Sequence, residues 1–255
     1  GAAAALKLNC ALLLLTVVRN FLTWLRGTFV GTYLPIDKNI VFHRYIAWTI
    51  ASWAFLHIAA HFFNYRTLTT APDSYFTTDR DENDPELGLA NELLGLTEAP
   101  PPYALAYTTL PGSTGHIVTM IMVLMYSSAI KVVRGPMFEV FWYTHHLFVF
   151  FYLLLGIHGA AAVLEPPSFW KWTIGPAFLY LVERILRLMR GSTDTILQLA
   201  VAHPSKVLEL QMKKSTFNYK SGQYLFINCP YIAKYEWHPF TITSAPEEDF
   251  VSIHI

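Results

Sequence analysis

Histidines recur at matched spacings in two long apolar segments of the chain. His43 and His57 lie 14 residues apart in the first segment, and His145 and His158 lie 13 residues apart in the second. On α-helices these spacings correspond to rises of about 21 Å and about 20 Å, so the two segments offer imidazoles at matching depths. Each iron of a bis-histidine haem takes two axial nitrogens. The pattern therefore predicts two stacked haems, each held by one histidine from either segment.

The helical phase of the second pair predicts an irregular helix. At about 100° per residue, His43 and His57 project within about 40° of each other, on nearly the same face. His145 and His158 differ by about 140°, and taking His146 in place of His145 still leaves about 120°. If both histidines face the first segment, the helix between them must be distorted. We expect a π-bulge near Gly156, because π-bulges are frequent at functional sites.

Other uses of these histidines fit the sequence less well. A single imidazole in a membrane segment can be a packed core residue, although ionisable groups there are functional candidates by default. A proton relay would add carboxylates deep within the spans, whereas Glu139 and Glu183 lie near span ends. A zinc site would use the one-turn spacing of His57 and His61, which lack an obvious third and fourth ligand.

The segments that carry these histidines are predicted to cross a membrane. The chain is 53% hydrophobic and 14% charged, whereas soluble domains are about a quarter charged. Its net charge of zero gives no reason to expect a nucleic acid partner, and Cys10 and Cys229 support neither a disulfide framework nor a cysteine-ligated metal. A bilayer-spanning helix needs about 20 apolar residues. Five segments are long enough, namely 5–25, 42–64, 115–132, 139–163 and 169–189.

The charges of the connections predict how these spans are oriented. Lys and Arg gather on the cytosolic side, and the 26–44 connection is basic, whereas residues 65–114 hold eight acidic residues and two arginines. We therefore expect residues 65–114 outside the cytosol, either as a cap over the outer haem or as a disordered surface loop. The first residues lack Met and a basic stretch, so they do not form a signal peptide, and we expect a longer chain. An odd number of spans that starts outside fits one further helix before residue 1.

Residues 192–255 have the pattern of strands and turns. Short runs with partial alternation, "TILQLAVA", "KVLELQM", "QYLFINC" and "FVSIHI", are separated by turn residues. Some 60 residues make a thin core for an independent barrel. We therefore expect residues 1–191 to form a transmembrane domain and residues 192–255 to be the first part of a larger cytosolic domain.

Three motifs follow one another in the chain, namely "HRYIAW…LHIAAH", "FEVFWYTHHLF…GIHG" and "EWHPFTITSAPEED". Together they resemble the motifs of the NADPH oxidases, which are the superoxide-generating flavocytochrome b family. The resemblance is greater to the animal and fungal members than to the plant members. The resemblance implies a mainly α-helical, ferric-reductase-like haem-binding bundle in the membrane. The beginning of a β-rich, ferredoxin-reductase-like FAD domain would follow it. It also implies two haem b groups, FAD and NADPH, with the NADPH site outside these 255 residues. Electrons would pass from cytosolic NADPH through FAD and both haems to oxygen outside.

The resemblance assigns the four histidines to particular haems. His43 and His145 would ligate the inner haem, and His57 and His158 the outer haem. Phe151, midway between the last two ligands of its helix, would be the aromatic residue that the family places between the haems. From the residues alone, Phe151 could equally face lipid or the protein core.

Further residues carried over from the family would surround the haems. Arg19 and Arg26 would pair with the propionates of the inner haem, since guanidinium groups pair well with carboxylates. Arg26 alone could equally anchor its segment on the cytosolic side. His61 would lie beside the outer haem at the oxygen site. Since both axial positions of the iron are taken, oxygen would be reduced beside the haem, helped by nearby hydrogen-bond donors.

The motif at residues 238–246 would hold the flavin. By resemblance, FAD would contact the backbone and the side chains of His238, Pro239, Phe240 and Thr241; composition alone indicates only a strand that contains prolines. The resemblance also makes the lipid bilayer and a regulatory or small membrane subunit candidate partners.

Two other functions stay open at the level of sequence. A ferric or cupric metalloreductase would share the haem pairs and the "HPFT" motif. A transporter or voltage-sensing bundle would keep the histidines as structural residues and would show no haem absorbance.

Overall fold

Helices form the chain as far as Gly191, and strands follow from Leu197. The chain divides into two compact units, one of residues 1–127 and 145–186 and the other of residues 128–144 and 187–255. The computed structural model describes residues 1–78, 84, 88–161, 166–191, 195–204, 206–214 and 217–255.

In the described residues, all five predicted membrane segments fall largely on helices. Two short 3₁₀ turns, Ile36–Lys38 and Asp73–Phe76, lie between the α-helices. Within the described residues the α-helices are α1 (Ala2–Leu15), α2 (Arg19–Arg26), α3 (Val30–Tyr33), α4 (Asn39–Thr69), α5 (Leu89–Leu94), α6 (Pro102–Tyr107), α7 (Leu110–Ala129), α8 (Lys131–Arg134), α9 (Phe138–His145), α10 (Phe148–Ala160) and α11 (Phe169–Gly191).

The helices differ in how well they fit a membrane span. In the described part of the chain, two helical stretches are long and apolar enough to cross a bilayer, Ile36–Thr69 and Phe138–Ala160. Helices α1 and α2 form a bent pair, and they make a third candidate membrane span if the pair is counted as one span. Helices α7 and α11 are not among them, so the predicted spans 115–132 and 169–189 stay predictions.

The predicted 65–114 loop contains helices. Helix α4 extends into it as far as Thr69, and α5 and α6 lie within it. Phe76 and Leu105, in the described part of the loop, are buried, and the role of the loop as a cap over the outer haem stays a prediction. The most acidic part, residues 79–83 and 85–87, lies outside the described residues, as do residues 192–194 at the predicted domain boundary.

The first predicted span is broken, contrary to the prediction of one helix over residues 5–25. Helices α1 and α2 meet at 81°, and Val18 between them has a non-helical backbone. An unbroken helix would pair the Asn20 N–H with the Thr16 carbonyl. Here the Asn39 amide donates to the Thr16 carbonyl at 3.0 Å, and the Asn20 N–H donates to the Glu183 carboxylate at 3.1 Å. The break is tolerated because these side chains replace the lost backbone bond.

The Glu183 carboxylate is buried in the first unit. The sequence places Glu183 near a span end, and in the structure it is only 3% exposed. Its carboxylate lies at the first turn of α2, where unpaired N–H groups favour a negative charge. Glu139, at the start of α9, is exposed.

The helix of the second histidine pair is irregular, as its phase predicted. Helix α9 ends at His145 and α10 begins at Phe148. At this junction the Val149 N–H donates to the His146 carbonyl, three residues back, so the chain is tightened as in a 3₁₀ turn. The expected π-bulge near Gly156 was wrong, since α10 is regular there. The Thr144 hydroxyl, which donates to the Val140 carbonyl at 2.7 Å, adds the back-bonding that often bends helices.

The helices of the first unit are joined by apolar packing and by hydrogen bonds between helices. The Tyr126 hydroxyl of α7 donates to the Ala47 carbonyl of α4 at 2.5 Å, and the Tyr152 hydroxyl of α10 donates to the Cys10 carbonyl of α1 at 2.7 Å. These bonds fix α1, α4, α7 and α10 around the histidines. The buried side chains that pack between them include Cys10, Ile46, Ile50, Val118, Ile121, Met125 and Phe151.

In its described residues the second unit contains two small antiparallel sheets. One has the strand order β1-β2-β5 and the other pairs β3 with β4. A bridge between Ile242 and Ile253 links the sheets, and both residues are buried. The predicted strand runs are confirmed; the strands are β1 (Leu197–Ala202), β2 (Leu208–Lys213), β3 (Tyr224–Ile227), β4 (His238–Thr241) and β5 (Phe250–His254).

Candidate functional site

The four histidines form two facing pairs in the first unit. The ring centroids of His43 on α4 and His145 at the end of α9 lie 6.3 Å apart. The rings of His57 on α4 and His158 on α10 lie 6.2 Å apart. His146, the alternative to His145, has its ring near Phe148. The tightened turn after His145 therefore lets two histidines 13 residues apart face the same partner helix.

The spacing of both pairs fits one metal ion between two imidazoles. An imidazole nitrogen lies about 2.0–2.1 Å from a bound metal, and the ring centroid lies about 1.1 Å behind that nitrogen, so two axial rings should have centroids about 6.2–6.4 Å apart. The observed 6.3 Å and 6.2 Å fall in this range. The residues present therefore fit axial ligation of a haem iron at both levels.

A threonine sets which ring nitrogen of His43 carries the proton. The Thr16 hydroxyl donates its one proton to the Leu13 carbonyl at 2.6 Å. The same oxygen lies 2.8 Å from His43 Nδ1, so it must accept the hydrogen of an Nδ1–H. This assignment leaves Nε2 of His43 unprotonated and able to ligate a metal.

The outer pair uses the same arrangement on a different helix. The Thr114 hydroxyl of α7 donates to the Leu110 carbonyl at 2.5 Å and lies 3.1 Å from His158 Nδ1. His158 is thereby also assigned a proton on Nδ1. Gly115 packs against the same ring, because a Cβ placed there would lie 3.2 Å from His158 Cε1. Helix α7 thus orients a ligand that it does not itself carry.

Thr16, Thr114 and Gly115 were missed by the sequence reasoning. A threonine in an apolar helix commonly bonds to its own backbone, so its presence gives no hint of a distant histidine partner. Only packing brings Thr16 to His43, 27 residues away, and Thr114 to His158, 44 residues away.

Two further predicted residues lie near the histidine pairs. His61 is one turn beyond His57, and their rings meet edge to face at 4.5 Å. The ring of Tyr65 lies a further turn along, 6.1 Å from His61. Phe151 is 6% exposed and packs with Val118 of α7, so it faces the protein core and not lipid.

The two arginines of α2 lie at opposite ends of that helix. Arg19 begins α2 just after the bend, and its side chain is exposed. Arg26 ends α2 and pairs with the Asp37 carboxylate at 2.5 Å, with both side chains exposed. Arg19 does not lie within a continuous span as we expected, because the span bends at residues 16–18. The propionate role of both arginines stays a prediction.

The predicted flavin motif forms β4 of the second unit. Strand β4 pairs with β3 in a register that places His238 opposite Ile227 and Thr241 opposite Tyr224. The side chains of His238, Pro239 and Thr241 are exposed, and Phe240 is partly buried. Proline lacks an N–H and is tolerated here because β4 is an edge strand.

The loop that follows β4 is held by a buried tyrosine. The Tyr219 hydroxyl lies 2.7 Å from both the Ser244 hydroxyl and the Ala245 carbonyl. The Ala245 N–H donates to the Glu248 carboxylate at 2.9 Å. The strand and its loop therefore present a fixed backbone with exposed polar side chains, which a dinucleotide could contact.

Comparison with known protein families agrees with this organisation. Residues 1–156 match the family described as ferric reductase like transmembrane component, and residues 194–255 match a FAD-binding domain. A helical membrane domain joined to a β-sheet flavin domain is the arrangement of membrane-bound oxidoreductases. The chain belongs to the ferric reductase like transmembrane family, and over its whole length it is homologous to NADPH oxidases. The sequence resemblance and the predicted fold class are thereby confirmed.

Three curated relatives illustrate the homology. The chain is 55% identical to one superoxide-generating NADPH oxidase heavy chain of Dictyostelium discoideum and 44% identical to a second such heavy chain of the same organism. It is 37% identical to NADPH oxidase 1 of Mus musculus. Each match covers 100% of the chain but 47%, 36% and 51% of the respective relative. The chain thus spans about half the length of these relatives, or less.

Proposed function

We propose that the chain is the membrane part of a superoxide-generating NADPH oxidase. Electrons would pass from cytosolic NADPH through FAD and two bis-histidine haems to oxygen on the other side of the membrane. The observation that carries this proposal is the pair of imidazole spacings at two levels, 6.3 Å between α4 and the end of α9 and 6.2 Å between α4 and α10. The basic 26–44 connection supports a cytosolic position for it, with the 65–114 loop outside.

The histidines would hold both haems in place without leaving a coordination position open. Each haem supplies a one-electron carrier when it is bound. Thr16 and Thr114 keep the Nδ1 protons of His43 and His158 directed away from the metal positions. This hydrogen bond orients each ring and makes it a stronger donor. Phe151, which is buried in the protein core, lies midway in sequence between His145 and His158.

His61 would serve the oxygen end of the path. It lies one turn beyond His57, in edge contact with that ring. His57 and His158 would hold the outer haem, which would supply the electron when bound, and His61 would remain available to contact oxygen beside it. An imidazole N–H of His61 placed there could donate a hydrogen bond to the nascent superoxide, which is a form of electrostatic stabilisation.

Spectroscopy of the full-length protein tests the haem assignment. A reduced-minus-oxidised spectrum should show b-type haem, and His57→Leu should remove about half of the signal by eliminating one of two ligand pairs. His146→Leu is the matched control, since His146 neighbours a proposed ligand but has its ring near Phe148. A spectrum without haem, or equal losses in both variants, would refute the proposal.

The metalloreductase alternative is favoured by one observation, the match of residues 1–156 to the ferric reductase like family. Product assays separate it from the oxidase. The oxidase should form superoxide from NADPH in air and should reduce Fe(III) poorly once oxygen is removed. Rapid Fe(III) reduction without oxygen, with little superoxide in air, would assign the chain to the reductases instead.

A further inference from the structure

A cluster of metal-ligating side chains lies on the β1-β2-β5 sheet of the second unit. His203 Nε2 is 3.0 Å from Glu209 Oε2, and His254 Nε2 is 3.8 Å from the same oxygen. The three ligand atoms all lie within 4.8 Å of one another. The rings of His203 and His254 are nearly parallel, with centroids 6.0 Å apart.

Strand register explains why these residues meet. Glu209 on β2 is directly opposite His254 on β5 and opposite Val201 on β1. His203 follows β1 two residues after Val201, so it projects from the same face and is the diagonal neighbour of Glu209. The cluster is therefore built by the pairing of all three strands of one sheet.

The donor set and its spacing suit a tetrahedral zinc ion. Zinc bound at about 2.0–2.1 Å to each ligand needs ligand atoms about 3.3–3.4 Å apart, close to the observed 3.0 Å and 3.8 Å. Two histidines and one carboxylate are a recurrent zinc set that leaves a fourth position open. His203 and His254 are 38% and 41% exposed, so water can reach that position.

Neighbouring side chains orient two of the three ligands. Gln211 Nε2 donates to Glu209 Oε1 at 2.8 Å, which leaves Oε2 directed at the histidines. Thr243 Oγ1 lies 2.9 Å from His254 Nδ1 and leaves Nε2 as the atom that faces the cluster.

We propose that His203, Glu209 and His254 form a zinc site on the β1-β2-β5 sheet, with water as the fourth ligand. The ion would tie the β1–β2 turn to the end of β5. This clamp would hold together the sheet that carries the flavin-binding loop through the Ile242–Ile253 bridge. The proposal does not depend on the electron-transfer function.

Metal analysis of the full-length protein tests this site. Protein stripped with EDTA is equilibrated with low-micromolar ZnCl₂ in the presence of Mg²⁺ and Fe²⁺, desalted, and analysed by mass spectrometry for bound metal. Wild type should retain one more zinc per chain than Glu209→Gln or His254→Gln, and zinc alone should raise its thermal midpoint. Gln211→Leu should weaken zinc binding by about 10–100-fold, as expected for loss of a residue that orients a ligand.

His238→Gln is the matched control, because His238 also contacts a glutamate, Glu236, at 3.3 Å but belongs to no three-ligand cluster within the described residues. This variant should keep the zinc. Equal zinc content in wild type and Glu209→Gln, or preferential uptake of iron, would overturn the proposal. If the His254→Gln protein fails to fold, as shown by loss of haem and flavin absorbance, the nearly isosteric Glu209→Gln decides the result.

Discussion

Replacing Thr114 by valine should weaken the outer haem site without touching a ligand. Thr114 Oγ1 accepts the Nδ1–H of His158 at 3.1 Å. Thr114 is buried, with 6% of the residue exposed. Valine has nearly the same shape but no acceptor. The imidazole would then lose this acceptor, and the ring would lose a contact that fixes its orientation and tautomer.

The size of the effect follows from this hydrogen bond. A buried donor left without a partner costs about 1–3 kcal/mol. A tenfold change in affinity corresponds to about 1.4 kcal/mol, so outer haem affinity should fall by about 10–100-fold, the range seen when a metal-orienting residue is removed. The midpoint potential of the outer haem should become more positive, since the ring donates less electron density without its hydrogen bond.

Haem transfer to excess apomyoglobin measures the affinity change, and a redox titration measures the potential. In Thr114→Val about half of the haem should leave faster, and the other half should leave as in wild type. Thr114→Ser keeps the hydroxyl and should behave almost as wild type. Unchanged release and potential in the valine variant, or equal defects in serine and valine, would show that the hydroxyl does not orient His158.

Three further variants test other parts of the first unit. Gly115→Ala should also speed release of the outer haem, because the added Cβ would press on the ring of His158. Gly156→Ala is the control. A Cβ at Gly156 meets nothing within 4 Å, so this variant should leave haem release unchanged. His61→Leu should keep both haems in the reduced-minus-oxidised spectrum but slow superoxide formation; loss of haem absorbance would instead make this residue structural. Glu183→Leu should lower the free energy of unfolding by about 1–3 kcal/mol, measured by thermal or denaturant unfolding, because it leaves a buried N–H unpaired. The exposed Glu139→Leu should change that free energy by less than about 0.5 kcal/mol, and equal effects of the two would refute this account.

The positions of the helices and strands could be read largely from local sequence pattern. The apolar runs around His43 and His158 lie on helices, and the alternating runs "KVLELQM" and "FVSIHI" became β2 and β5. These predictions succeed because hydrophobic periodicity depends only on residues near one another in the chain. The break of the first span at Val18 was not predicted, because the groups that permit it, Asn39 and Glu183, are distant in sequence.

The sequence by itself determined the number, depth and helical phase of the paired histidines, because rise and rotation per residue are fixed by the backbone. The helical phase of these histidines also required a distortion of the helix between His145 and His158. It did not determine the position or the type of that distortion. Only the tertiary structure decided that Thr16 and Thr114 orient the ligands, and that three strands bring His203, Glu209 and His254 together. Those contacts depend on packing angles and strand register, which arise from many distant side chains at once and leave no periodic signal in the chain.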